Sequence, residues 1–120
     1  ENPFLAEPGN DPTYGFFELG KVEVSFDGII WQEFSYDTAS QKNCAGYEPA
    51  IANFGEEEIS PTDVKKAGGD HFDLKQLGLK VIRFVRITDV QSFGGKDGSA
   101  GFDLDAVVAV NSRKRVTNKK

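Results

Sequence analysis

The chain has no methionine, and only one cysteine, one histidine and one tryptophan among its 120 residues. A lone Cys44 excludes a disulfide within the chain. It reads as a buried small hydrophobe in the loop Asn43-Cys44-Ala45-Gly46, with pairing to another chain as the alternative, so cysteine usage does not fix the redox compartment. His71 stands 27 positions from Cys44, whereas a zinc site needs several such ligands. No Gly-x-Ser-x-Gly turn is present to strain a serine nucleophile. No apolar run approaches the roughly 20 residues of a membrane helix, and no signal-type segment occurs. Carboxylates are plentiful enough that composition alone leaves a glycosidase open. A nucleophile, base and orienting group in one set are nonetheless missing, and the expectation is a binder that is not an enzyme.

Acid exceeds base, 19 to 14, for a net charge of −5. Five of the bases, Arg113, Lys114, Arg115, Lys119 and Lys120, crowd the last eight residues, so nine bases oppose 19 acids in the rest, a balance of −10. An acidic body repels phosphate backbones and attracts divalent cations, which argues against nucleic acid as a partner. Residues 113–120 read as a basic tail or linker, and residues 1–112 as one domain, large enough to bury a core.

Phenylalanine (10) and glycine (13) are abundant, and the apolar runs are short and broken by Gly, Pro, Asn and Asp. That texture predicts an all-β sandwich or barrel. Residues 1–15 read as loop. In Leu19 to Phe26, Val22, Val24 and Phe26 alternate with Lys21, Glu23 and Ser25, predicting a strand with one wet face. Asp27-Gly28 then signals a tight hairpin turn, with the return strand over Ile29 to Phe34. Residues 35–62 form a long irregular stretch that Ile51, Phe54 and Ile59 would anchor. Asp73 to Gly78 reads as a single helical turn closed by glycine. Lys80 to Val90 carries apolar residues on both faces and reads as a central strand. Phe102 to Val110 reads as the last strand.

That last run holds the strongest functional signal. At strand spacing Asp103 and Asp105 share a face about 7 Å apart, opposite Leu104, Ala106, Val108 and Val110. Two carboxylates aimed together call for a cation, either a metal ion or an arginine; Arg83 and Arg86 are the arginine candidates. Calcium suits hard oxygen donors, and the loop Gly94 to Gly101 with Asp97 could add carbonyls. The spacing is not that of an EF-hand. Arg83 and Arg86, on opposite faces of one strand, have a simpler use in pairing with Glu23 or Glu33. Trp31, just after the turn, reads as a core or sheet-packing residue, with a sugar-stacking platform as the alternative. The loop aromatics Tyr14, Phe16, Tyr36, Tyr47 and Phe93 are the candidate ligand contacts.

Val22-Glu23-Val24-Ser25-Phe26-Asp27-Gly28-Ile29-Ile30-Trp31 and Phe84-Val85-Arg86-Ile87 resemble the hairpin and a later strand of discoidin-like domains, the coagulation-factor C-type and galactose-binding jelly rolls. Glu1-Asn2-Pro3-Phe4, Cys44-Ala45-Gly46, Ala67-Gly68-Gly69-Asp70 with Phe72-Asp73-Leu74, and Gly101 to Val107 resemble a group of bacterial cell-surface and secreted proteins with that fold. The resemblance implies an all-β, antiparallel jelly-roll β-sandwich, extracellular or at the cell surface, recognising carbohydrate or another surface ligand. It also implies a structural calcium, for which Asp105, Asp103, Glu1 and Asn2 are the ligands to test. In that group an apolar segment ahead of Glu-Asn-Pro supplies the first strands. This chain starts at the motif, so those strands are either lacking or given by a partner chain. The alternative function is accordingly a structural or assembly subunit whose edge strands pair with a partner.

Overall fold

The computed structural model describes the backbone of residues 4–5 and 15–16, and residues 18–51, 58–90 and 101–112 in full. Strand β1 (Phe4–Leu5) pairs antiparallel with β2 (Gly15–Phe16), so a short ladder occupies part of the stretch expected to be loop. Strands β3 (Gly20–Ser25), β4 (Gln32–Glu33) and β5 (Phe84–Asp89) make a three-stranded antiparallel sheet in the order β4-β3-β5. The regular elements are thus antiparallel strands and one 3-10 turn, an arrangement compatible with an all-β protein. No helix among the described residues is long and apolar enough to cross a membrane.

The alternation in β3 does what it predicts. Val22 and Val24 are buried, and Lys21 and Glu23 lie on the other face. Val22 and Val24 oppose Ile87 and Val85 of β5, and Phe34 donates its N–H to the Val22 carbonyl at 3.0 Å. Buried Val22, Val24, Phe34 and Ala45 are covered by Phe72, Leu74, Leu77, Leu79, Ile82, Ile87 and Phe102. Phe34 and Phe72 meet edge to face, 5.2 Å between centroids. Leu19 and Cys44 form a second buried pair beneath Tyr36, Tyr47 and Val90. Cys44 is therefore the small buried hydrophobe its loop suggests, and burial pushes its thiol pKa up.

The helical turn is present as a 3-10 turn, Leu74–Leu77. Asp73 caps it by accepting from the Lys75 N–H, and Gly78 closes it at φ 68°, a left-handed conformation that costs glycine little. Three other expectations need correction. The hairpin is real, but its connection spans residues 26–31 and the return strand is only Gln32–Glu33, because side chains of Ser25 and Asp27 capture the loop backbone before it can pair. β3, rather than the 80–90 run, is the central strand, and β5 lies at the edge among the described residues. Residues 102–109 join no ladder there, so Asp103 and Asp105 are not on a paired strand. Phe102 reaches the core, whereas Leu104, Val107, Val108 and Val110 are 43–58% exposed.

Of the anchors expected for residues 35–62, Ile59 is half-buried, Ile51 is exposed and Phe54 lies outside the described residues. Local bridges order this stretch instead: Asp37 with Lys42, Gly20 with Ala45, and Ala50 with Gly68.

Candidate functional site

The connection between β3 and β4 is built from two polar side chains. Asp27 Oδ1 accepts from the N–H groups of Ile29 (2.8 Å) and Ile30 (2.9 Å), and these bonds hold its carboxyl below the usual range. Ser25 is buried, and its Oγ accepts from the Gly28 N–H (2.9 Å) while lying within reach of the Ile30 carbonyl and Asp27. Gly28 sits at φ 78°, with the Phe84 ring 3.6 Å from where a Cβ would stand. With the backbone so satisfied, the side chains it carries are thrust outward: Phe26 is 57%, Ile29 81% and Ile30 69% exposed. Isolated exposed apolar residues are ordinary on a protein surface, but three on one rigid loop form a presented patch. The sequence carried the signal in Ser25-x-Asp27-Gly28, an Asx-type turn, but the tip residues were not among the expected contacts.

Beside the loop lies the wet face of the sheet. Arg86 forks onto Glu23 through Nε (2.9 Å) and Nη2 (2.7 Å), as the strand-face pairing anticipated, and this holds the Glu23 carboxyl below its usual range. Lys21 reaches Glu33 at 2.8 Å and Glu23 at 3.8 Å; the Glu33 bond raises its pKa. The Arg86 guanidinium also lies over Trp31, 4.1 Å from the ring centroid, so Trp31 packs on the sheet face as expected. Arg83 lies over Phe84 at 5.5 Å.

A third arrangement joins two loops. Asp70 Oδ2 accepts from the Gly46 (2.8 Å) and Tyr47 (3.0 Å) N–H groups, and Oδ1 from that of Glu48 (3.1 Å). Burial raises the Asp70 carboxyl pKa against the pull of these bonds. Gly46 is at φ 89°, where a Cβ would collide with the Glu18 carbonyl.

The expected site residues do not gather in one place. Tyr36 and Tyr47 pack on Leu19 and Cys44. For Phe16 only the backbone is described, in β2. Glu1, Asn2, Tyr14 and Phe93 lie outside the described residues. Asp103 and Asp105 are exposed, and Arg86 is engaged by Glu23. Glu18 accepts from the Gly101 N–H at 3.0 Å. Among the described residues no three His, Cys, Asp or Glu side chains cluster as around a metal. The described donors at the expected calcium position are thus two carboxylates, of the right chemistry but fewer than the six to eight oxygens that calcium takes.

Compared with known proteins, the chain matches no protein-family model, and no curated protein or solved structure aligns with it.

Proposed function

We propose that the chain is a non-catalytic recognition module, an antiparallel jelly-roll β-sandwich of the discoidin-like kind, working outside the cell or at its surface. It takes a carbohydrate or another surface ligand through loops at one end of the sheet. The observation that carries this reading is the Phe26–Trp31 loop, whose backbone is fixed by Ser25 and Asp27 and whose apolar side chains face outward. A loop whose backbone is already held in shape binds with a smaller ordering penalty, and exposed Phe26, together with Phe84 beside Gly28, offers apolar ring surface to the C–H face of a sugar. Asp105 and Asp103 are the proposed calcium carboxylates, with Glu1 and Asn2 as further donors.

A glycan array probed with the labelled protein, run beside a broad glycosidase and esterase screen, tests the reading. Selective retention of a glycan class without turnover is the expected result. Turnover abolished by replacing one carboxylate would overturn the non-catalytic reading, and absence of retention on every glycan would overturn the carbohydrate one.

A further inference from the structure

Asp27-Gly28 forms a turn, and it is also a pair whose backbone can rearrange, because glycine puts no side chain in the way of its neighbour's carboxyl group. The Gly28 nitrogen gives up its proton and attacks Asp27 Cγ. A C–N bond forms as a C–O bond breaks, and the departing oxygen leaves as water with the amide proton and the acid proton. The product is a succinimide ring. Water then adds to one of the two ring carbonyls. At Cγ it restores aspartate, whereas at the main-chain carbonyl it breaks that carbon's bond to the Gly28 nitrogen and leaves isoaspartate. One water is lost and one regained, so the net change is an isomerisation.

The folded loop opposes the first step. The Gly28 N–H donates to the Oγ of buried Ser25 at 2.9 Å, and the ring nitrogen carries no hydrogen, so closing the ring must forfeit that bond. Asp27 reacts as the neutral acid, since a carboxylate oxygen must be protonated to leave. The Ile29 and Ile30 N–H groups, 2.8 and 2.9 Å from Oδ1, favour the carboxylate instead. Turning the 27–28 peptide plane toward Cγ is resisted as well, because the Gly28 and Ile29 N–H groups are both tied. Isoaspartate would undo the loop in turn. The main chain gains one carbon and the carboxylate moves from Cβ to Cα, so the Ile29 and Ile30 N–H groups lose the acceptor that fixes the exposed tip.

We infer that Asp27-Gly28 is a modification site gated by the fold: Ser25 and the Ile29 and Ile30 N–H groups hold it closed, and isoaspartate forms there through local opening of the loop. The inference stands on the chemistry of the loop whether or not the loop takes a ligand, so its failure and that of the recognition reading are separate.

Timed incubation of the folded protein beside a synthetic peptide of residues 22–32, in one neutral buffer, tests this, with isoaspartate at position 27 read by peptide mapping. Conversion in the protein should be slower than in the peptide by about tenfold or more, because closure waits for an opening. Ser25→Ala removes the acceptor of the Gly28 N–H and leaves Asp27-Gly28 itself intact. That variant, shown to be folded by its Trp31 fluorescence, should convert about fivefold faster than the wild type, the effect of one hydrogen bond on the open population. If it does not fold, the wild-type comparison decides alone. Conversion in the folded wild type as fast as in the peptide, or a folded Ser25→Ala variant no faster than the wild type, would each overturn the inference.

Discussion

The guanidinium of Arg86 is held between two partners on one sheet face: it lies over the Trp31 ring, 4.1 Å from the centroid, and grips the Glu23 carboxylate in a fork. The planar fork is what makes both contacts simultaneous, and a lysine, with its donors on a single nitrogen, has neither the plane nor the fork. Arg86→Lys should therefore lower the melting temperature slightly and raise the solvent exposure of Trp31, read as a red shift in its fluorescence. An unchanged emission spectrum would show that the stack is not occupied in solution.

Asp70 should matter more to stability than any ion pair on the wet face. Asp70→Asn replaces one of two accepting oxygens by an amide donor, so at least one N–H of the 46–48 loop faces another donor. Leaving a partly buried group unpaired costs about 1–3 kcal/mol, a melting shift of roughly 5–15 °C for a chain of this size.

The same residue opposes the rest of the acid response. Glu23, Asp27 and Asp37 have lowered carboxyl pKa values, through Arg86, the Ile30 and Ile29 N–H groups, and Ser40 with the Ala39 N–H respectively. Their contribution is present above the unfolded carboxylate pKa and is lost as pH falls through the folded values. Asp70, raised by burial, acts oppositely: its contribution is full below the unfolded pKa and is lost as pH rises through the folded one. Thermal melts across the acidic range should thus show stability falling with pH in the wild type and falling more steeply in Asp70→Asn. A shallower fall in the variant would contradict the assignment.

Gly46 and Gly69 share positive φ, 89° and 80°, but differ in surroundings. A Cβ on Gly46 meets the Glu18 carbonyl, whereas one on Gly69 meets nothing within 4 Å. Gly69→Ala should cost about 1 kcal/mol, the ordinary penalty of a left-handed alanine, and Gly46→Ala distinctly more, because backbone must shift. Denaturant melts of the two variants give the comparison directly.

Much of the sheet was legible because its signals are local. Strict alternation over Lys21 to Ser25 marked β3, Asp73 and Gly78 marked the ends of the single turn, and Glu23–Arg86 is one of the strand-face pairings left open between Arg83 or Arg86 and Glu23 or Glu33. What was not legible depends on side chains competing with backbone or on distant partners. Asp27-Gly28 reads the same for a two-residue turn as for the longer loop that Ser25 closes. Tyr36 and Tyr47 looked like loop aromatics free to meet a ligand, yet the Leu19 and Cys44 pair beneath them is joined only through the fold. The 102–110 run alternates as a strand should, but alternation specifies a face and not a partner.

Calcium binding at Asp105 and Asp103 predicts a metal-dependent melt. A ligand specific to the folded state, at about 100 times its dissociation constant, adds about 2.7 kcal/mol, a shift on the order of 10 °C here. Chelation should remove that shift in the wild type, and Asp105→Asn should be nearly unresponsive. Identical wild-type melts with calcium and with chelator would dismiss the metal.

The most direct test of the recognition reading is calorimetric titration of the protein with the glycan class retained on the array, using wild type, Ile29→Ser and Asp27→Ala. The first variant removes an apolar side chain from the tip and leaves the loop bonds; the second leaves the tip residues and releases the Ile29 and Ile30 N–H groups. Both should weaken binding severalfold while the sheet, reported by Trp31 fluorescence, stays folded. Affinity unchanged in both variants would contradict a ligand site at the Phe26–Trp31 loop.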